Sequence, residues 1–316
     1  MSSVRRGPFA QILPPNIFRG DDVCSQCMLA VAQAPDLALF GVYDGHGGDM
    51  VAHYTAKNFK SHLLKNELVS SNRADFAEKS QAAFELALMS IDAELRALPA
   101  VQTGQDHSGS TSVMTLISPG HIICANTGDS RAVLCRNGAA VALSQDHKPY
   151  DEEEKARIEA AGGTVKFNRV NGDLAVSRAL GDFVYKRCDS MPAELQAVTA
   201  FPETMIERRE AGDEFVVLAC DGIWDVMSSE DVVAIVRDML IHGRPNPEDT
   251  PDGMATDSTP DGEAIPDTPP RPWDLGAVCE ALIDHCLALG SRDNMSVVIV
   301  LLQPNLKPKP EAEAAS

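Results

Sequence analysis

Leu37-Ala-Leu-Phe-Gly-Val-Tyr43 runs straight into Asp44-Gly45-His46-Gly47-Gly48. The first part has the length and apolar character of a β-strand, and the second is a turn that begins on a carboxylate. Phe215-Val-Val-Leu-Ala-Cys220 does the same, running into Asp221-Gly222-Ile223-Trp224-Asp225, and a third apolar stretch, Val297 to Leu302, follows Ser291-Arg292-Asp293-Asn294. Further strand-length runs, bounded by turn residues, occupy Ser112 to Ile117, His121 to Ala125, Arg131 to Cys135 and Ala139 to Leu143. Asn137-Gly138 between the last two is a two-residue hairpin signal, so these strands should pair antiparallel. In an antiparallel sheet the end of one strand adjoins the start of its neighbour. Asp44, Asp221 and Asp293 are therefore expected to meet at one sheet edge.

Helical periodicity lies between the strands. Phe84, Leu88, Ile91 and Leu95 recur at steps of 4, 3 and 4, and Leu275, Val278, Leu282 and Leu289 form a similar stripe behind Asp274, a suitable N-cap. Asp151 to Ala161 begins acidic, turns basic at Lys155 and Arg157 and stops at Gly162-Gly163, in the sense that complements a helix dipole. Val232, Val236, Met239 and Leu240 mark another helix. Because strands and helices do not strictly alternate, the expected fold class is α+β, a sandwich of two antiparallel β-sheets flanked by α-helices.

Carboxylates gathered at one place repel and do not all stay ionised without a compensating cation. Oxygen ligands without a thiolate or an imidazole pair select hard ions, Mg²⁺, Mn²⁺ or Ca²⁺. The glycine after Asp44 leaves its backbone carbonyl open, and Gly47-Gly48 lets the chain pack tightly before the next helix. Singly, a strand-ending Asp-Gly is more often just a turn, Asp225 a solvated carboxylate and His46 a turn residue. Turn chemistry gives no reason for all of them to follow buried strands.

The composition is that of a globular protein: of 316 residues, 44% are hydrophobic and 23% charged. A formal charge of −19 argues against nucleic acid and anionic membrane as partners and suits a cation site. No apolar run is long enough for a membrane span, the first ten residues lack a secretory pattern, and Ser2 excludes N-myristoylation. The 8 scattered cysteines read as reduced thiols, which places the expected location in the cytoplasm, the nucleus or both. Cys24 and Cys27 form a lone CxxC that reads as two strand-edge thiols rather than a zinc site. Residues 1–20 read as an irregular N-terminal segment and residues 21–302 as the folded domain. Within it, residues 244–274 hold 8 of the 20 prolines and 8 acidic residues against 2 arginines, a composition that opposes folding, and residues 303–316 form a similar tail.

Six strings also carry a family resemblance. Val42-Tyr-Asp-Gly-His-Gly-Gly48, Gly128-Asp-Ser-Arg131, Gln145-Asp-His-Lys-Pro149, Asn171 to Asp182, Cys220-Asp-Gly-Ile-Trp-Asp225 and Ser291-Arg-Asp-Asn-Met-Ser296 resemble, in order, those of type 2C protein phosphatases, the metal-dependent PPM family. The resemblance implies a two-sheet sandwich with a centre of two Mg²⁺ or Mn²⁺ ions at one edge. It implies that Asp44 bridges both ions, that the Gly45 carbonyl binds one, and that Asp221 and Asp293 bind the other. Asp129 and Asp225 match positions that can hold a third, weaker ion. Ahead of the first motif the family usually carries a phosphate-contacting Arg and a Glu-Asp pair near the metals; this chain has Arg19-Gly20-Asp21-Asp22, in which the resemblance makes Asp22, at a compatible separation from Asp44, a candidate metal-site residue and Arg19, though out of register, the candidate substrate phosphate contact.

The implied reaction is metal-dependent hydrolysis of phosphoserine and phosphothreonine in phosphoprotein substrates, by a monomer. Phosphate monoesters hydrolyse so slowly unaided that the site must lower the barrier by about 20 kcal/mol or more. Two cations suit that demand, because they activate and orient a water and neutralise the phosphoryl oxygens. The departing alkoxide needs a proton, and His46, with an ordinary pKa of about 6.5, is the candidate general acid beside the catalytic Asp44. Two other readings remain at this point. One is a pseudophosphatase that binds phosphoproteins without turnover, favoured by the altered N-terminus. The other is an acidic scaffold that uses residues 244–274 as an interaction arm.

Overall fold

The computed structural model describes residues 36–65, 75–242, 275–303 and 306, together with the backbone of Val23–Met28. Several expectations lie outside the described residues: those on Arg19, Asp21 and Asp22, on the 1–20 segment, on the 244–274 insert, on Asp274 as an N-cap, and on nearly all of the tail. The side chains of Cys24 and Cys27 lie outside them too.

In chain order the elements are β1 (Val23–Met28), β2 (Ala38–His46), α1 (Met50–Leu64), α2 (Phe76–Arg96), α3 (Pro99–Gln102), β3 (Gly109–Ser110), β4 (Ser112–Ile117), β5 (His121–Thr127), β6 (Arg131–Arg136) and β7 (Ala139–Ala142). There follow α4 (Glu152–Ala160), β8 (Val165–Lys166), β9 (Arg169–Val170), β10 (Leu180–Gly181), β11 (Glu203–Arg208), β12 (Asp213–Ala219), α5 (Asp221–Trp224), α6 (Ser229–His242), α7 (Leu275–Ala288) and β13 (Val297–Leu301). One sheet runs β10-β3-β2-β4-β5-β11, with β1 also paired to β2; the other runs β13-β12-β6-β7; β8 and β9 form a separate hairpin. Every ladder within these sheets is antiparallel.

The two sheets face each other through Phe40, Val42, Val113, Leu134, Val216 and Leu218, all buried. The alternate residues of the same strands point outward into helices. Leu39, Tyr43, Met114 and Leu116 pack beneath α1 and α2, and Val133, Phe215, Val217 and Ile299 beneath α6 and α7. Strands covered on both faces have no polar side to show, which is why every residue of β12 is buried and why, after Asp213 and Glu214 at its start, its sequence is apolar from Phe215 to Ala219. The expected sandwich is thus borne out as four layers, helices on either side of two sheets.

Asn137-Gly138 turns β6 into β7 with φ of 52° and 74°, the left-handed pair that a two-residue hairpin demands. The three-aspartate expectation needs a correction. Asp221 and Asp293 do flank neighbouring strands, with Ala219 of β12 opposite Val297 of β13. Asp44, however, sits on β2 in the facing sheet. The acids meet across the sandwich rather than along one sheet, because β2 and β12 end at the same end of the stack. β11 gave no apolar run to find, since its residues are mostly half-exposed at the edge of the larger sheet.

Between β7 and β11 the chain folds on a small core of Ile158, Val170, Val176, Ala179 and Val198. Buried Glu154 ties this region together: its Oε1 accepts from Arg157 Nη1 and Arg178 Nη2, both at 2.7 Å, and its Oε2 accepts from the Ser177 hydroxyl. Burial works against the charge, but the hydrogen bonds from Arg178 and Arg157 outweigh it and bring the carboxyl from 4.5 down to about 2. A carboxyl held below its ordinary value stabilises the fold above that value, and the contribution fades as pH falls from about 4.5 towards 2. Glu154→Gln should therefore cost about 3 kcal/mol at pH 7. Denaturant unfolding of both proteins across pH checks this: the gap between them should narrow below pH ~4, and a gap of equal size at acid and neutral pH would contradict the assignment.

Candidate metal centre

The turn after β12 starts α5 with Asp221 as its first residue. Trp224 Nε1 donates to the Ala219 carbonyl at 2.8 Å, and Ser291 Oγ donates to the Gly222 carbonyl at 2.7 Å, so the turn is fastened both to its own strand and to the segment before β13. Asp293 accepts from the backbone N–H of Asn294 at 2.7 Å, which fixes its carboxylate at the mouth of that segment. On the other sheet, the Thr111 N–H donates to the Asp44 carbonyl at 2.8 Å and continues the ladder through the aspartate.

Asp129 arrives between β5 and β6. His147 accepts from the Gly128 N–H on Nδ1 at 3.2 Å and so donates from Nε2 to Glu203 at 3.2 Å; the ring is a neutral strut that holds the Gly128-Asp129 turn. Lys148 Nζ lies 2.6 Å from Asp129 Oδ2. Burial opposes the charge on Lys148, and the carboxylate of Asp129 more than restores it.

Asp44, Gly45, Asp129, Asp221 and Asp293 line one open cleft of about 490 Å³, with His46 beside them. Burial, and then the charges of Asp221, Asp129 and Asp293, push the Asp44 carboxyl far up; burial, and then Asp129 and Asp293, push Asp221 up as well. Asp225 is exposed and stands outside the cleft lining, yet burial of its carboxyl and the charges of Asp129 and Asp293 raise it too. The expected carboxylates are therefore brought together, with Asp225 at the periphery. Arg19 and Asp22 lie outside the described residues.

A sulfur ligand is within geometric reach as a third member, since Cys220 Sγ lies within 4.8 Å of ligand atoms on Asp44 and Asp221. Its hydrogen bonds commit it to packing instead. The fully buried thiol is pushed well up by desolvation, donates to the Asn294 carbonyl at 3.2 Å and accepts from the Ser296 N–H at 3.1 Å, so it is a protonated packing group. What remains is a set of oxygen donors in mutual repulsion, and it fits hard divalent cations.

His46 does not stand alone. Its Nε2 donates to Asp182 Oδ2 at 2.6 Å; burial disfavours the imidazolium, but the hydrogen bond and charge of Asp182, with Asp129 and Asp221 beyond, carry the net shift upward. Asp182 adopts left-handed backbone, φ 50°, and is 4% exposed. Its loop is anchored from behind, where Asp92 Oδ1 accepts from the Gly181 N–H at 2.8 Å and from buried Lys186 Nζ at 2.7 Å. Gly109 lies directly under the His46–Asp182 pair, and a Cβ there would collide with both side chains. Asp182 and Lys148 belong to the strings singled out in the sequence, but nothing in their local sequence shows which partners they meet. Only the fold joins Asp182 to a histidine 136 positions away.

Comparison with known proteins agrees with this geometry. The family model described as Protein phosphatase 2C matches residues 20–295. Among curated relatives, a probable protein phosphatase 2C of Caenorhabditis elegans is 41% identical over 86% of this chain and 68% of its own length. Protein phosphatase 1B of Rattus norvegicus is 42% identical over 84% and 62%, and Protein phosphatase 1A of Homo sapiens is 41% identical over 87% and 65%. The chain thus spans roughly two thirds of the length of these relatives. Among solved structures, a Caenorhabditis elegans sex determining protein superposes with a TM-score of 0.69 at 25% identity, covering 92% of this chain and 64% of that one. A phosphatase from Toxoplasma gondii has the same fold, with a TM-score of 0.69 at 24% identity, covering 92% of both chains.

Because the carboxylates repel one another, Asp221→Asn should raise the melting temperature of the protein in EDTA by about 2–4 °C. Wild type should gain about 2.7 kcal/mol at Mn²⁺ one hundred times above Kd, and the variant should lose that gain. Thermal unfolding of both proteins in EDTA and in Mn²⁺ checks the pair of effects; a destabilised variant that still responds fully to Mn²⁺ would show that Asp221 only shapes its turn.

Proposed function

The chain belongs to the protein phosphatase 2C family, and on that premise we propose that it is a metal-dependent protein serine/threonine phosphatase acting on phosphoproteins. The observation that carries this reading is the convergence of Asp44, Asp129, Asp221 and Asp293 from both sheets in one cleft, next to a histidine already paired with Asp182. Asp44 and the Gly45 carbonyl would hold one of two Mg²⁺ or Mn²⁺ ions, with Asp44 shared and Asp221 and Asp293 on the other. Asp129 and Asp225 would hold a third. Bound there, such ions supply Lewis acidity, which makes water a nucleophile near neutral pH and offsets charge on the phosphoryl oxygens.

The chain's own residues account for the remaining requirements. Water orientation and charge offset do not protonate the departing serine or threonine oxygen; of the two histidines that line the cleft, His46 and His107, His46 is the one paired with a carboxylate and adjoining the Asp44 ligand, and it is the proposed proton donor. Asp182 positions the ring through Nε2 and favours its charged form, leaving Nδ1 as the atom from which a proton can pass. Lys148 neutralises Asp129 and so lowers the repulsion at one side of the cluster. The pseudophosphatase reading drew on Arg19 to Asp22 and the scaffold reading on residues 244–274; no described residue favours either.

The reducing cytoplasm or nucleus is the proposed setting. It is supported by free thiols at all six described cysteines, five of them buried. A protein of charge −19 repels nucleic acid and anionic membrane in bulk.

Phosphothreonine peptide should be hydrolysed with Mg²⁺ or Mn²⁺ and not with EDTA, and phosphate release is the readout. Metal uptake without release would revive the binding-only reading. His46→Gln should lower turnover of phenyl phosphate by about 10²-fold or more, the scale of general acid catalysis. The same change should lower turnover of p-nitrophenyl phosphate, whose leaving group scarcely needs a proton, by less than about tenfold. Equal losses on the two esters would assign His46 a positional role instead.

A further inference from the structure

Hairpin β8–β9 reverses at Phe167-Asn168, and both residues are left-handed, with φ of 52° and 61°. Two-residue turns of this kind favour asparagine, aspartate and glycine, and a phenylalanine at the first position is strained. The ring gains nothing from burial in return: Phe167 is 91% exposed, whereas the next most exposed large apolar side chains among the described residues, Leu86 and Tyr150, stand at 53%. Neither backbone preference nor packing accounts for an aromatic ring at this place. Contact with another molecule would.

The base of the hairpin is firmly fixed. Val170 is buried in the small core with Ile158 and Val176. Asn171 donates its N–H to the Thr164 carbonyl at 2.7 Å and accepts the Thr164 N–H on Oδ1 at 2.9 Å, and Arg169 Nη1 donates to the Asp173 carbonyl at 2.6 Å. Its base also straddles two hollows. Arg169 lines the metal cleft, Asn171 lines a neighbouring hollow of about 560 Å³, and Val184 and Tyr185 form the wall common to both. A polypeptide presenting one residue to the metal cleft and continuing into the second hollow would cross the base of the hairpin whose tip is Phe167.

Charge indicates what kind of polypeptide. On a chain of charge −19, Lys166, Arg169 and Arg187 stand exposed along this rim, against exposed Asp173 and Asp189. Asp173 is itself engaged by the Tyr185 hydroxyl at 2.7 Å.

We propose that Phe167, flanked by Lys166 and Arg169, is a docking finger that selects phosphoprotein segments carrying a large apolar residue beside acidic ones near the phosphorylated residue. The proposal rests on the phosphatase reading and adds the substrate preference of that same cleft.

The test uses wild type and Phe167→Asn, loaded with Mn²⁺, on two phosphothreonine peptides that differ only in flanks, leucine and glutamate in one, glycine and serine in the other. Peptide binding by fluorescence anisotropy, steady-state kinetics and melting temperature are read together, with p-nitrophenyl phosphate as the flank-free ester. Wild type should prefer the leucine and glutamate peptide. Phe167→Asn should raise KM and Kd for that peptide about tenfold with kcat within about twofold. It should leave the glycine and serine peptide unaffected, and keep or raise the melting temperature, because asparagine suits the turn. Unchanged Kd and KM would overturn the finger, and so would a lowered melting temperature with parallel losses on every substrate, which marks a structural residue. If wild type turns over none of the three substrates, the phosphatase reading fails, and the binding data still decide the finger: Phe167-dependent anisotropy sustains it and its absence overturns it.

Discussion

Mutual repulsion among carboxylates gathered in one cleft is the constraint on which the rest of this structure depends. Asp44, Asp129, Asp221 and Asp293 are brought into one cleft, where burial penalises the charge on Asp44 and Asp221 and the neighbouring aspartates raise that cost further. A sequence free to relax would disperse them. Here they are held by elements that cannot move apart: strands buried on both faces, a turn fastened to two neighbouring segments, and a neutral histidine strut behind Asp129. The cluster is stable only with protons, Lys148 or bound cations to offset it, and that requirement links fold, metal and chemistry.

The four-layer stack explains how this strain is tolerated. Each sheet is sealed by helices on one face and by the other sheet on the other, so the apolar core on either side of the cleft is large and continuous. Strain is confined to the end of the stack, where the backbone is also irregular: Asp182 is left-handed and Gly109 leaves no room for a Cβ beneath the His46–Asp182 pair. The hairpin carrying Phe167 shows the same pattern at the rim, with a rigid base and an unfavourable tip. Features that cost stability are gathered where a substrate would arrive.

Much of this was legible in the sequence, and for identifiable reasons. Double-sided burial writes an apolar run into each of β2, β12 and β13, Asn137-Gly138 marks its hairpin by backbone chemistry alone, and each run has its aspartate at one end. The arrangement of those aspartates was legible only in part, because strand ends reveal where a side chain stops and not which sheet faces it; Asp44 therefore seemed to share an edge with Asp221 and Asp293. β11 escaped notice because an edge strand with half-exposed residues leaves no apolar run. The partnerships of His46 with Asp182 and of Asp129 with Lys148 are long-range products of packing, and no local pattern encodes them.

The central claim is that cations join the two sheets at this cluster. A crystal of the full chain grown with Mn²⁺, with data collected for anomalous scattering, tests it most directly. The account predicts anomalous peaks in the cleft within about 2.1 Å of carboxylate oxygens, at least one of them touching Asp44 from the larger sheet and another touching Asp221 and Asp293 from the smaller one. Peaks elsewhere, or a cleft without manganese in protein that hydrolyses phosphothreonine peptide, would contradict it.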